Sequence, residues 1–197
     1  MTDISYNPIF PVVVGMAINP NRSESEISQI LSMNYEDLSD QGFPHTTRVR
    51  NILNELPEIK SFIDEALEDY RKKVLGSRSG LRITTSWATK HINTTQFQYR
   101  HAHPNSIVSG TYYVKTALDS EPITFFNPSP AQYFVHWDQD KELTDRNPFT
   151  STTIKFPCLD GLLLLYPSWI QHGVDGPPSS NVRCAISFNT VIDNGNP

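Results

Sequence analysis

The sequence has few of the features that mark secreted or membrane-spanning proteins. Its 197 residues include two cysteines, Cys158 and Cys184, which lie far apart and form no CxxC pair, so we expect reduced, buried thiols. The longest apolar run, "GLLLLY", is too short to cross a bilayer. The first fifteen residues lack the basic segment that opens a signal peptide. These absences predict a soluble, cytoplasmic protein with no membrane partner.

Clusters of basic residues are also scarce. The formal net charge is −5, the isoelectric point is near 5.6, and no basic run is longer than Lys72–Lys73. Since nucleic-acid-binding surfaces concentrate Lys and Arg, this composition argues against a nucleic-acid partner. The chain has no internal repeat or low-complexity tract, and its length suffices to bury one core without staples. We therefore predict a single domain over residues 1–197.

The hydrophobic periodicity changes near Gly80. Before it, helical spacing predicts one helix in "TTRVRNILNEL", a second that begins at Pro57 and ends near Gly76, and a less regular one around "ESEISQILSMNYEDL". After it, the period falls to two, with turn residues between strands. The predicted strands are "LRITTSWATK", "TQFQYRHAH", "SIVSGTYYVKT", "PITFFNP", "TSTTIKFPC", "GLLLLYP" and "VRCAISFNTVI".

This order predicts an α+β fold with a double-stranded β-helix core, which is a jelly roll of the cupin-like kind. We expect the core over residues 81–193. The helix-rich part, residues 1–80, should pack its helices on one sheet. Edge strands in such folds can pair between copies, so a homodimer is possible.

Three histidines are candidates for a metal site. His101 and His103 are two residues apart in a predicted strand, so their side chains share one face. Imidazole is the commonest side-chain ligand of transition metals. The best third partner is His172, which follows the apolar strand that ends at Pro167. Antiparallel strands of a jelly roll can bring distant ends together. Three ligands on one side of a metal with open positions suit an Fe(II) ion that binds substrate and O₂.

A buried cation is predicted in the last strand. Arg183 stands in the apolar run "VRCAISFN", and a cation inside a sheet core is costly unless an anion meets it. The planar guanidinium suits a carboxylate held by two hydrogen bonds. Ser187 shares the face of Arg183 and could donate to the same carboxylate, and Tyr113 in a neighbouring strand could add a phenol.

The segments "WATKHINTTQFQYRHAHPNSIVSGTYYV" and "GLLLLYPSWIQHGVDGPPSSNVRCAISFN" resemble the Fe(II)- and 2-oxoglutarate-dependent oxygenases of bacteria and tailed phages. The resemblance covers residues 86–189, and a more distant one extends to prolyl hydroxylases. It implies that His101 and His172 bind iron, and that Arg183 and Tyr113 hold the distal carboxylate of 2-oxoglutarate. It also implies that a C–H bond of a small-molecule or peptidyl substrate is hydroxylated at the expense of O₂ and 2-oxoglutarate, with succinate and CO₂ as co-products.

The chain departs from the usual motif of this family at one position. The common pattern is His-x-Asp or His-x-Glu, whereas His103 stands at the second position here. Three neutral imidazoles would leave the iron more positive than two imidazoles and a carboxylate, which should alter its redox behaviour. Asn105 is an alternative ligand through its amide oxygen.

Other interpretations remain open at this stage. His136-Trp137-Asp138 spells the usual motif literally, but the polar, loop-like residues after it make it the second choice. Three-histidine iron also resembles thiol dioxygenases, which use no 2-oxoglutarate, although that chemistry gives no reason for Arg183. A jelly roll can also be a non-catalytic binding module.

Overall fold

The computed structural model describes residues 4–91, 98–117, 119–129, 147–174 and 182–193. Its α-helices are α1 (Glu24–Ser32) and α2 (Pro57–Tyr70), and a π-helical turn, Arg71–Leu75, continues α2. Its strands are β1 (Gly15–Ile18), β2 (Tyr35–Glu36), β3 (His45–Thr47), β4 (Gly80–His91), β5 (Gln98–His101), β6 (Val108–Lys115), β7 (Ile123–Phe126), β8 (Thr153–Phe156), β9 (Leu162–Pro167), β10 (His172–Val174) and β11 (Arg183–Asp193).

The strands form two antiparallel sheets. The larger sheet has the order β1-β9-β6-β11-β4-β3-β2, and the smaller one has the order β5-β10-β7-β8. Tyr113, Leu164 and Ala185 of the large sheet share one apolar cluster with Ile123 and Phe125 of the small sheet, so the two sheets face each other across it. The predicted jelly-roll architecture is confirmed, and strands from both sides of Gly80 join in the large sheet.

The two helices cover the outer face of the large sheet, as predicted. The apolar stripe of α2, which includes Ile59, Ile63 and Leu67, packs against outward-facing residues of β6, β9 and β11. Pro57 is at the start of α2, where its missing N–H leaves no hydrogen bond unmade. The buried carboxylate of Glu26 in α1 accepts the backbone N–H groups of Glu58 and Ile59, each at 2.8 Å. This contact joins the two helices and compensates the positive end of α2.

The helix predicted in "TTRVRNILNEL" is wrong. His45–Thr47 forms β3, which pairs with β4, and Ile52–Glu55 forms a single 3₁₀ turn. The Thr47 hydroxyl accepts the backbone N–H of Ala88 at 3.0 Å. Pairing with the edge of β4 therefore overrides the helical spacing of the apolar residues, because β-branched Thr46 and Thr47 fit a pleated strand better than a helix.

Strand alternation divides neighbouring residues of the large sheet between its two faces. In β6, Tyr112 packs with the helices and Tyr113 lies between the sheets. In β9, Leu163 and Leu165 face the helices, whereas Leu162, Leu164 and Tyr166 face the inter-sheet space. Polar groups on the inner face therefore reach the space between the sheets, where the candidate site lies.

Both thiols are free and buried, as the sequence predicted. No helix in the described part of the chain is both long and apolar enough to cross a membrane.

Candidate metal centre and co-substrate cavity

Three histidines from separate parts of the chain meet at one end of the inter-sheet space. His101 ends β5 and His172 begins β10, and the two are direct partners in the antiparallel register. His103 follows β5, and its backbone N–H donates to the Ser168 carbonyl at 2.9 Å. One nitrogen of each ring lies within 4.8 Å of a nitrogen of the other two. The structure therefore brings together the three imidazoles that the sequence singled out.

Two of these rings are oriented by backbone carbonyl groups. Nδ1 of His101 lies 2.7 Å from the Tyr99 carbonyl oxygen, and Nδ1 of His172 lies 3.0 Å from that of Ile170. A carbonyl oxygen can only accept, so each Nδ1 carries the hydrogen of a neutral ring and each Nε2 carries the acceptor lone pair. Fixing the outer nitrogen in this way is how proteins orient imidazole ligands of metals.

The environment favours neutral rings. Burial lowers the pKa of His101, and burial together with the neighbouring His101 lowers the pKa of His103 to about 4. Burial first, and then the neighbouring histidines, lower the pKa of His172 to about 3. Protons therefore compete little with a metal ion for these lone pairs at neutral pH. Three neutral imidazoles suit iron, nickel, copper or zinc.

A narrow cleft extends from the histidines between the sheets. All three histidines line it, as do the larger side chains of Trp87 and Tyr166. The Trp87 ring lies 5.8 Å from the His103 ring, centroid to centroid. Residues from several strands thus enclose a space that connects the histidines with Arg183, which also lines the cavity.

Arg183 is a buried cation whose contacts among the described residues, Cys158 and Tyr113, are neutral. The residue is only 4% exposed. Its Nε donates to Cys158 Sγ at 3.4 Å, and its guanidinium carbon lies 5.1 Å from the centre of the Tyr113 ring. Among the described residues, no carboxylate forms an ion pair with it. Because a buried charge without an opposite charge is costly, this end of the cavity favours an anionic ligand.

Tyr113 adds an unsatisfied buried hydroxyl at the same end. Its hydroxyl is fully buried and makes no hydrogen bond to another described residue. Burial raises the pKa of this phenol, so it remains a donor. An unmade buried hydrogen bond costs about 1–3 kcal/mol. A carboxylate could accept from both Tyr113 and Arg183, and the donors at this end fit that group.

Ser187 lines the same cavity but stands apart from Arg183. The two residues share a face of β11 and are four positions apart, which corresponds to roughly 13 Å along a strand. The register partners of Ser187 are Trp87 and Thr111. The Trp87 ring packs beside His103, and Thr111 hydrogen-bonds to Tyr166. Ser187 therefore lies nearer to the histidines than the sequence alone indicated.

Tyr166 is a polar residue of the cavity that the sequence interpretation missed. Its hydroxyl lies 3.1 Å from Thr111 Oγ1 and 3.4 Å from His172 Nε2, and the residue is 1% exposed. Burial raises the pKa of this phenol to about 12. The available signal was its position in "GLLLLYP", where strand alternation places it on the inner face with Leu162 and Leu164.

Of the two alternative ligand candidates from the sequence, the structure describes only Asn105. His136-Trp137-Asp138 lies outside the described residues. Asn105 is exposed and has a φ of 61°, a left-handed conformation that asparagine adopts readily in turns.

A family model described as "Putative 2OG-Fe(II) oxygenase" matches residues 85–189. The match spans more than half of the chain and nearly the same segment as the resemblance in the sequence. The chain belongs to this family, whose members are oxidoreductases that use Fe(II) and 2-oxoglutarate. The predicted enzyme class and cofactors are therefore confirmed.

Solved structures of this class share the fold. A 2OG-Fe(II) oxygenase family oxidoreductase from Burkholderia pseudomallei is 12% identical, with 89% of this chain and 84% of that one covered and a TM-score of 0.60. HygX from Streptomyces hygroscopicus, with nickel and 2-oxoglutarate bound, is 14% identical, with 92% and 84% covered and a TM-score of 0.58.

A prolyl hydroxylase from Trichoplax adhaerens, in complex with a hypoxia inducible factor peptide fragment, is 13% identical, with 92% and 84% covered and a TM-score of 0.57. No curated protein matches the chain by sequence.

Proposed function

We propose that this oxygenase hydroxylates a C–H bond, with His101, His103 and His172 as the ligands of Fe(II) and Arg183 and Tyr113 as the donors to the distal carboxylate of 2-oxoglutarate. The observation that carries the proposal is the cavity itself. It joins three neutral imidazoles at one end to a buried guanidinium without a carboxylate partner, among the described residues, at the other. The imidazole nitrogens suit Fe(II), and the guanidinium and phenol hydrogens suit a carboxylate.

The histidine end holds its ligands in place before any metal binds. The Tyr99 and Ile170 carbonyl groups fix the rings of His101 and His172, and the backbone hydrogen bond to Ser168 anchors His103. Phe125 packs against His172 with ring centroids 5.8 Å apart. These contacts lower the cost of ordering the ligands and keep water from the buried side of the site.

The arginine end orients and neutralises an anion. Cys158 Sγ accepts from Nε of Arg183, which leaves the terminal guanidinium nitrogens for a carboxylate. The Cys158 thiol in turn donates to the Glu121 carbonyl at 2.9 Å. Ser187 and Thr111 add hydroxyl groups along the wall between the two ends. When bound, Fe(II) would supply the activation of O₂, and 2-oxoglutarate would supply two electrons as it is converted to succinate and CO₂.

The proposal includes the chemical class of the substrate. Phe43 lies 6.1 Å from the His101 ring and Trp87 lies 5.8 Å from the His103 ring, so aromatic side chains flank both histidines. This arrangement suits a small molecule or a peptidyl side chain with an apolar part.

We further propose a cytoplasmic location and no nucleic-acid partner, in line with the acidic composition. Family membership and the buried Arg183 disfavour the thiol dioxygenase and binding-module interpretations.

Thermal unfolding with metal and 2-oxoglutarate tests the proposal without a known substrate. We expect 2-oxoglutarate to raise the melting temperature strongly only when Ni(II) is present, because the metal and Arg183 bind opposite ends of the same molecule. A ligand at 100 times its dissociation constant stabilises the folded state by about 2.7 kcal/mol. Succinate, which lacks the keto group, is the matched control and should give a smaller shift. An equal shift with and without Ni(II) would contradict the proposed arrangement.

A further inference from the structure

The hydroxyl of Tyr166 occupies a position that the proposed roles do not use. It is buried, it lies on the cavity wall, and it contacts His172 Nε2 at 3.4 Å and Thr111 Oγ1 at 3.1 Å. The same nitrogen of His172 carries the lone pair proposed for the metal. Tyr166 and a metal ion therefore compete for one acceptor.

The direction of these hydrogen bonds follows from the donors available. His172 Nδ1 gives its hydrogen to the Ile170 carbonyl, so Nε2 of the neutral ring can only accept. The Tyr166 O–H must then be the donor in the contact with Nε2. The Thr111 hydroxyl can donate to the Tyr166 oxygen. The Tyr166 hydroxyl then both donates one hydrogen bond and accepts another.

A metal on Nε2 would remove the acceptor of the Tyr166 hydrogen. A buried hydroxyl hydrogen needs another acceptor, since leaving it unmade is costly. Arg183 offers donors alone, and a metal on the histidine cluster would also occupy the lone pair of His101 Nε2. Thr111 Oγ1 could accept only if its own hydrogen turned away from the Tyr166 oxygen, so an oxygen atom of a ligand in the cavity is the acceptor that keeps both hydroxyl hydrogens bonded.

We propose that Tyr166 is a metal-dependent hydrogen-bond donor, which caps His172 Nε2 in the metal-free protein and donates to an oxygen atom of 2-oxoglutarate once the metal is bound. The inference rests on the proposed function. It assigns Tyr166 opposite effects on the two ligands, because its hydroxyl opposes the metal and supports the co-substrate. A residue that only stabilises the fold would not produce this pair of effects.

Replacement of Tyr166 by phenylalanine tests the inference, because it removes the hydroxyl and keeps the ring. Co(II) is titrated first, in the absence of 2-oxoglutarate, and followed by its visible absorption. We expect Tyr166→Phe to bind Co(II) more tightly by roughly 2- to 10-fold, which is the usual net contribution of one hydrogen bond. 2-Oxoglutarate is then titrated into the Co(II)-loaded protein, and we expect its affinity to fall by about 10-fold or more, since the lost bond has a charged acceptor.

Tyr112 and Tyr113, both in β6, provide matched controls. Tyr113→Phe should weaken 2-oxoglutarate and leave Co(II) affinity unchanged, because Tyr113 lies at the Arg183 end. Tyr112→Phe should change neither affinity, because its hydroxyl accepts from Asn19 at 3.3 Å on the other face of the sheet.

Three outcomes would overturn the inference. Unchanged or weaker Co(II) binding by Tyr166→Phe would show that the hydroxyl does not cap Nε2. Unchanged 2-oxoglutarate affinity would show that the freed hydrogen turns to Thr111 instead. Failure of the unsubstituted protein to bind Co(II) would refute the proposed metal site itself, and this result is distinguishable because it precedes any comparison of variants.

Discussion

Replacing Arg183 with methionine should weaken 2-oxoglutarate binding strongly while making the co-substrate-free protein more stable. The guanidinium is buried and has no carboxylate partner among the described residues. Substitution of buried ionic groups by apolar ones of similar volume often stabilises by about 1–4 kcal/mol. Truncating one partner of a buried charge pair costs about 2–5 kcal/mol, so affinity for 2-oxoglutarate should fall at least about 30-fold. Calorimetric titration of the Ni(II)-loaded protein and thermal unfolding of the metal-free protein measure the two effects.

Arg22 provides the matched control for this substitution. It donates to Asp160 at 3.2 Å and to the Val114 carbonyl, so its positive charge is already compensated within the fold. Arg22→Met should therefore lower the melting temperature and leave 2-oxoglutarate affinity unchanged. If Arg183→Met were destabilised as Arg22→Met is and still bound 2-oxoglutarate normally, Arg183 would be a structural cation.

Replacing His172 with alanine or glutamine should remove metal binding and activity together. His172 is the most deeply buried of the three histidines, and its ring is fixed by the Ile170 carbonyl. Loss of residues that merely orient a ligand costs about 10- to 100-fold in metal affinity, and loss of the ligand itself should cost at least about 100-fold. Co(II) titration followed by absorption measures this, as does 2-oxoglutarate consumption with Fe(II) under air.

His45 is a suitable control for loss of an imidazole elsewhere in the chain. It lies in β3 and its Nε2 is 3.7 Å from a carboxylate oxygen of Asp37. His45→Ala should retain metal affinity within about two-fold, because residues without contact to the site act independently of it. Co(II) binding by His172→Ala with unchanged affinity would exclude His172 as a ligand.

Much of the fold could be predicted because the strands obey strict alternation. All seven strands expected after Gly80 are present, and the faces of β6 and β9 follow the two-residue period. The short strands β1, β2, β3 and β10 were missed, since two to four residues carry too little periodicity to be recognised. The helix expected in "TTRVRNILNEL" failed because pairing with β4 is a tertiary contact that local spacing does not encode.

The candidate site shows the same division between local and tertiary information. The shared face of His101 and His103 follows from their spacing, and their meeting with His172 follows from jelly-roll topology. The contact of Tyr166 with His172 could not be predicted, since it depends on how the ends of β9 and β10 turn towards each other. Ser187 shares the face of Arg183 as expected, but face sharing says nothing of the distance along the strand.

The most direct test of the proposed site is an anaerobic absorption spectrum of the protein with Fe(II) and 2-oxoglutarate. If three histidines hold the iron and the cavity holds 2-oxoglutarate against it, a visible metal-to-ligand charge-transfer band should develop only when both are present. The band should be absent in His172→Ala and strongly weakened in Arg183→Met. Bound iron without such a band, or a band that persists in His172→Ala, would contradict the proposed site.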